Sequence, residues 1–579
     1  MNNYYTSERN IQIVIALLKA NNIKRVITSP GATDVSINAS LQHDSFFELY
    51  SCVDERSAAY MACGMAAESG EPVVLTCTGA TSARNYMPGL TEAYYRHLPV
   101  LAITCCRSNS NVGHYVDQVT DRSNPPSDVA NISVYCQSIY CDDDEWDVTI
   151  KANKAILGLT WNGGGPCHIN LATQYSLDFS VKEISPVKVI RRYKLVDKLP
   201  VIPNGRIAIF VGCHEVWSKE LTDAVDTFCT IYNAVVLCDR TSNYKGKYRV
   251  LFRLIADQYE ENTREPDLDL LIHIGFVSAS KAKAKNVWRV NPDGEIRDTF
   301  RKLSAVFQMS ELEFFSAYNK VSNCNKDSLF SEYNEKYNNL LNSIPELPYS
   351  NIWIAQQLAS HIPENSVLHL GILNTLRSWN YFEIPNSVNS YCNTGGFGID
   401  GGVSSLIGAS QIDKNKIFFG VFGDLLFFYD LNSIGNRHIG SNVRILVINN
   451  GLGQEFKNYT SNGAVLGEET DLYIAARGHF GNHSRMVARA FSESLGFEYL
   501  TASSKEEFET TYRRFVSPEK NKKPLLFEVF TSSEDESDAF KMITTLSPKS
   551  KMLLKGKQFL STSELRGVEK GLKKILRKS

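Results

Sequence analysis

The stretch VFGDLLFFYDLNSIGNRHIGSNVRILVINNGLGQEF, Val421 to Phe456, decides the fold of the third part of the chain. An apolar strand, KIFFGV from Lys416 to Val421, runs into Gly423-Asp424, and a second, VRILVI from Val443 to Ile448, runs into Asn449-Asn450. Asp424 and Asn450 stand 26 positions apart, the length of a strand–helix–strand crossover in a parallel sheet. A right-handed crossover brings the carboxyl ends of both strands to one edge, where open α/β sheets bind ligands. The Asp424 carboxylate, the Asn450 amide oxygen and a backbone carbonyl just beyond, assigned to Leu452, then form a partial oxygen shell. Mg²⁺ favours such a shell when water and phosphate supply the remaining ligands. Gly423 lets backbone come close to a diphosphate. Turn-forming Asp and Asn alone would account for either dipeptide in isolation; the crossover spacing between two buried strands favours the ligand reading.

Working outward, residues 1–185 alternate strands with helices and predict a doubly wound N-terminal α/β domain. Its buried runs PVVLTCT (Pro72 to Thr78) and LPVLAIT (Leu98 to Thr104) end at Gly79 and at Cys105-Cys106-Arg107. Residues 190–335 predict a central α/β domain with no GxGxxG after any strand. Residues 345–535 predict the third, which holds the opening stretch and the glycine-rich GGFGIDGG at 395–402. The acidic run SSEDESD reads as solvated, and residues 541–579 as a basic, helical tail with 11 Lys or Arg against two Glu.

Composition narrows the function. The chain has 579 residues, 43% hydrophobic and 21% charged, with a net charge of −2, so no global charge draws it to nucleic acid. No apolar run reaches membrane-spanning length, and MNNYYTSERN lacks the apolar core of a secretion signal. Thirteen scattered cysteines without CxxC pairs, and eleven histidines without metal-binding spacing, predict reduced thiols and a cytoplasmic setting.

Glu55 is the second candidate for chemistry. It follows the strand FFELYSCV and opens the small-residue helix SAAYMACGMAAES, where burial would tune a carboxylic acid, although an acid there also suits a helix N-terminus. With GD…NN, these residues give the chain its resemblance to thiamine diphosphate enzymes, covering roughly residues 9–535. Within that superfamily it most resembles the MenD (SEPHCHC synthase) family. The resemblance is carried by SPG (Ser29 to Gly31), DERSA (Asp54 to Ala58), VDQ (Val116 to Gln118), GIDGGVSS (Gly398 to Ser405) and GDLLFFYDLN (Gly423 to Asn432). Leu425 in place of the usual third glycine is itself a feature of that family.

The resemblance implies three doubly wound parallel-sheet domains that bind the pyrimidine, link, and bind the diphosphate. It implies thiamine diphosphate and Mg²⁺ as cofactors, with Asp424, Asn450 and the Leu452 carbonyl on the metal and Gly398, Ile399, Asp400, Gly423 and Leu425 around the cofactor. Glu55 is the acid facing the pyrimidine, and Ile399 supports the bent cofactor. His114 and Gln118 orient the donor or move protons, while Gly31, Arg107, Arg377 and Thr394 line the substrate site. The family decarboxylates 2-oxoglutarate and adds the succinyl unit to isochorismate, in a homodimer or homotetramer.

The chain departs from the family pattern where substrate carboxylates bind. Ala32-Thr33-Asp34 follow SPG where Ser-Arg is usual, Thr394 stands for an arginine before GIDG, and Gly113-His114 replace Asn-Gln. Asp34 is expected to repel an anion. The expected activity is therefore decarboxylation of a 2-oxo acid with transfer of the acyl unit to a less anionic acceptor. A simple decarboxylase, a true menaquinone-pathway synthase and a non-catalytic scaffold are the other readings.

Overall fold

The protein was analysed as a computed structural model that describes residues 4–560, apart from 259–260, 262–264, 279, 321–327 and 479–483. It forms two compact units, residues 1–199 with 293–308, and 200–292 with 309–579. The strands in chain order are β1 (Arg25–Ser29), β2 (Glu48–Ser51), β3 (Val73–Thr78), β4 (Val100–Cys106), β5 (Ile132–Cys136), β6 (Cys167–Ala172), β7 (Arg191–Lys194), β8 (Ile207–Val211), β9 (Val235–Cys238), β10 (Arg249–Leu251), β11 (Leu268–Ile274), β12 (Ala284–Val290), β13 (Leu303–Gln308), β14 (Val367–Leu370), β15 (Asn389–Tyr391), β16 (Phe418–Gly423), β17 (Val443–Asn449), β18 (Glu498–Ala502) and β19 (Leu525–Phe530).

The first unit holds a six-stranded parallel sheet in the order β2-β1-β3-β4-β6-β5, and β7 pairs in parallel with β13. Its central strands β3, β4 and β6 are buried at every position, as their unbroken apolar runs require when helices cover both faces. The helix Glu55–Ser69 shows why one face packs so closely. Asp54 caps it by accepting from Arg56 N and Ser57 N, Gly70 ends it in the left-handed region at φ 67°, and Ala58, Ala59, Ala62 and Ala66 form its buried stripe. A Cβ on Gly89 of the neighbouring helix would stand 2.5 Å from the Ala59 Cβ, so only glycine permits this approach.

The second unit contains two parallel sheets. The central one runs β10-β9-β8-β11-β12, and the other runs β15-β14-β16-β17-β19-β18. Counted from its own first strand, this last sheet has the order 2-1-3-4-6-5, the same as the sheet of the first unit. The expected α/β class with three parallel sheets therefore holds. The two α/β sheets in the second unit share one compact unit, with Gln258 reaching the Ile543 carbonyl and the Leu546 N–H.

One local expectation needs correction. The acidic run is not simply solvated: it forms the helix Ser533–Thr544, capped by the Ser532 hydroxyl on Asp535 N. Glu536 is buried there because it accepts from Asn351 N and the Thr531 hydroxyl. The expected basic helix from Ser561 to Leu576 lies outside the described residues; before it, Pro548–Leu560 is helical.

Candidate active site

In the last sheet the strand order reverses between β14 and β16, and ligands of open α/β sheets bind in the crevice outside such a reversal. Gly371 follows β14 and Gly423-Asp424 ends β16, held together by the Gly371 N–H donating to the Val421 carbonyl at 2.8 Å. Parallel pairing of β16 with β17, Val421 opposite Leu446 and Gly423 opposite Ile448, carries Asn449 and Asn450 to the same edge. The structure thus brings Asp424, Asn450 and Leu452 together, as the 26-residue spacing implied.

Asp424 is 3% exposed. Its two oxygens accept from Leu425 N (2.9 Å) and Gly451 N (2.8 Å), and among the described residues it has no cationic partner. Burial pushes its carboxyl up to about 7, against those two N–H groups and with the nearby charge of Glu528 adding to the rise. Burial also pushes Glu536 up to about 7, with the charge of Asp424 adding to the rise, and raises Glu528, so these acids compete for few charges in one buried region. A buried carboxylate with donors but no counter-charge is the arrangement a divalent cation stabilises. Asn450 Oδ1 accepts from Leu452 N at 3.3 Å and keeps a second lone pair. No three His, Cys, Asp or Glu side chains among the described residues could together hold a metal. A cation here would be held by Asp424, Asn450 and the Leu452 carbonyl, completed by water and phosphate oxygens. Nothing lies within 4 Å of where a Cβ on Gly423 would stand, which leaves room for a diphosphate. The residues fit Mg²⁺ with thiamine diphosphate.

The glycine-rich loop borders this rim. Gly398 approaches Asp400, whose Oδ1 would lie 2.3 Å from a Cβ there, and Asp400 itself is exposed. Ile399 packs against the core beneath the rim, and Leu425 is half-buried beside Asp424. Thr394 is buried, its N–H donating to the Cys392 carbonyl. Arg377, expected to read a substrate carboxylate, forms a two-pronged ion pair with Glu455 at 2.7 and 2.8 Å and donates to Asn374 Oδ1.

In the first unit Glu55 occupies the first turn of its helix, half-buried. Burial pushes its pKa up, but the Ser82 hydroxyl, its own N–H and the Asn85 amide (3.2 Å) outweigh it and hold the carboxyl below the ordinary Glu value. In the single chain Glu55 is therefore a partly exposed carboxyl, because the helix Thr81–Asn85 supplies donors to it. Gly31, half-buried, lies against β3: a Cβ there would meet the Thr78 hydroxyl at 2.0 Å. The expectation that Asp34 repels anions is overturned. Asp34 is fully buried and closes its own loop, accepting from Gly31 N (2.8 Å) and Asn38 Nδ2 (2.9 Å). Arg107 donates to Asp117 (2.9 Å) and to the Tyr175 hydroxyl (3.1 Å). His114 and Gln118 lie on an exposed turn, Gln118 with φ 57°.

Sequence reasoning missed Ser82, Asn85 and Glu455, the partners that set the state of Glu55 and Arg377. Ser82 and Asn85, both in TGATSARNYMPG after β3, carried a signal, since that run directly follows a sheet edge, whereas Glu455 carried none.

Residues 10–124 match the family "Thiamine pyrophosphate enzyme, N-terminal TPP binding domain". A Bacteroides fragilis protein named 2-succinyl-5-enolpyruvyl-6-hydroxy-3-cyclohexene-1-carboxylate synthase is 28% identical over 565 residues, 93% of this chain and 98% of that protein. A protein of the same name from Bacteroides thetaiotaomicron is 29% identical, over 93% of this chain and 98% of its own length. Among solved structures, Rhodococcus jostii RHA1 thiamine diphosphate-dependent 4-hydroxybenzoylformate decarboxylase aligns at TM-score 0.39 and 14% identity, covering 90% of this chain and 99% of that one.

Proposed function

From the premise that the chain is a thiamine diphosphate-dependent enzyme of MenD-like kind, we propose that it decarboxylates a 2-oxo acid and transfers the remaining acyl unit to an acceptor, making a carbon–carbon bond. The observation that carries this reading is the buried, uncompensated Asp424 beside Asn450 at the β14/β16 reversal. Asp424, Asn450 and the Leu452 carbonyl hold Mg²⁺. Gly423 and the loop Gly398-Ile399-Asp400 admit the cofactor, with Leu425 and Ile399 as its apolar supports. When bound, thiamine diphosphate supplies the electron sink that lets a 2-oxo acid lose CO₂.

Glu55 exchanges a proton with the cofactor's pyrimidine, acting from one subunit of a homodimer or homotetramer on the site of another. Docking of that second subunit would desolvate the half-buried carboxyl and raise its pKa toward working pH. Arg107 reads the donor carboxylate, because its exposed pair with Asp117 yields readily to a ligand. His114 and Gln118, on the turn that carries Asp117, orient the donor, and Gly31 and Thr394 shape the walls of the substrate site. The enzyme acts in the cytoplasm, and no helix among the described residues is long and apolar enough to cross a membrane. The residues 1–185, 190–335 and 345–535 serve as pyrimidine-binding, central and diphosphate-binding domains.

The relatives' name contains a succinyl group, which makes 2-oxoglutarate the first donor to test. The test is CO₂ release by purified protein with thiamine diphosphate and Mg²⁺ across a panel of 2-oxo acids, with and without isochorismate. Turnover of one oxo acid supports the reading, and stimulation by isochorismate identifies that acceptor. Failure to release CO₂ from any donor overturns it. Aldehyde release without a coupled product would reassign the chain as a simple decarboxylase.

A further inference from the structure

We infer that Glu455 is an internal carboxylate that fills the guanidinium fork of Arg377, so that the substrate site takes a group with no carboxylate at that point. The inference rests on the carboligase reading above and narrows its substrate class.

A guanidinium offers a planar fork that matches one carboxylate in two parallel hydrogen bonds. In Arg377 that match is already made: Nη1 and Nη2 donate to the two oxygens of Glu455 at 2.7 and 2.8 Å. Nη1 also donates to Asn374 Oδ1, which is held in place by Asn458 Nδ2 at 2.9 Å, and the guanidinium lies 5.2 Å from the centre of the Phe540 ring. The terminal fork that could meet a second carboxylate end-on is engaged.

Glu455 is held as firmly. It sits in the single turn Gln454–Phe456, three residues beyond Leu452 and on the same sheet edge as Asp424 and Asn450. Buried Gln454 pins that turn by donating to the Ser533 carbonyl and the Ser537 hydroxyl while accepting from the Ser533 hydroxyl. The Arg377 and Glu455 side chains are 16% and 30% exposed. Arg107 and Asp117, in contrast, are 31% and 73% exposed and joined by a single bond. The open pair exchanges with ligands and water, whereas the enclosed two-pronged pair resists displacement. The chain therefore keeps one arginine available to a substrate carboxylate and neutralises the other from within.

The test uses the enzyme reconstituted with thiamine diphosphate and Mg²⁺. Binding of cyclohex-1-ene-1-carboxylate is compared by calorimetry with binding of the uncharged carboxamide, in the wild type, Glu455→Gln, Arg377→Gln and the double variant. Thermal melting of each variant checks folding. The wild type should show no preference for the carboxylate beyond about 3-fold, while Glu455→Gln should gain at least about 10-fold for the carboxylate and nothing for the amide. That gain should vanish in the double variant. Should Glu455→Gln fail to fold, Glu455→Asp, one methylene too short to fill the fork, should give a partial gain lost on adding Arg377→Gln. A wild-type preference for the carboxylate that Arg377→Gln removes would mean that ligands displace Glu455, and would overturn the proposal. So would the absence of any gain, including no measurable binding, in Glu455→Gln. Wild-type CO₂ release is measured separately. Its absence would overturn the carboligase reading without altering the binding comparison.

Discussion

At Asp424 a single carboxyl links metal, proton and stability. Its folded value of about 7 lies above its ordinary 3.8, so the folded state without cofactor holds a proton that the unfolded chain releases. Stability from this group is full below pH 4 and is lost as pH rises through 7, a loss of roughly 4 kcal/mol at most for a shift of that size. Denaturant unfolding of cofactor-free protein at pH 5 and pH 8 should show this slope, flattened in Asp424→Asn, with Glu536 leaving a remainder. Mg²⁺ with thiamine diphosphate should restore wild-type stability at pH 8, because the cation replaces the proton as counter-charge. Glu55→Gln keeps the shape of its side chain but cannot exchange a proton. It should lower CO₂ release by about 10²- to 10⁴-fold while cofactor affinity, measured by tryptophan quenching, changes little. Both positions were legible in sequence because each follows a run that reads as a strand, buried before Asp424 and at the sheet edge before Glu55. The state of Glu55 was not, since Ser82 and Asn85 reach it from a separate helix. Asp34 misled for the same reason: its charge was visible, but not the Gly31 and Asn38 donors that turn it inward.

Among elements, the strand ends are fixed by close approaches that a side chain would prevent. Gly31→Ala would place a Cβ 2.0 Å from the Thr78 hydroxyl and 2.7 Å from its Cβ, forcing β1 and β3 apart at their carboxyl ends. The expected cost is about 1–3 kcal/mol, read as a lower urea midpoint, and Thr78→Ala in the same chain should recover part of it. The strands themselves were readable from their continuous apolar runs, as β16 and β17 show. Polar segments were less so. SSEDESD looked like loop because its charges outnumber its apolar residues, yet the Ser532 cap and the Asn351 N–H that receives Glu536 make it a packed helix. The buried face of this helix, Glu536, Ala539, Phe540 and Ile543, has helical spacing, but a glutamate at its first position disguises it.

For the whole molecule, the proposed sharing of an active site between subunits predicts complementation. Glu55→Gln and Asp424→Ala enzymes, each inactive, should regain about a quarter of wild-type activity when unfolded and refolded together, as random pairing gives half of the dimers one intact site. No recovery would place both residues of a site in one subunit. The matching 2-1-3-4-6-5 order of the first and last sheets has a different consequence, for biosynthesis. Each pairing is parallel, so each must close a long crossover before its contacts form, which makes such sheets slow to assemble. Two sheets of one blueprint in the same polypeptide also offer each other's edges as wrong templates. On the ribosome the earlier copy can finish before the later one emerges; after dilution from denaturant both are incomplete at once. Yield should therefore fall more steeply on refolding the full chain than on its synthesis, with the trapped species holding strands of one sheet annealed to the other.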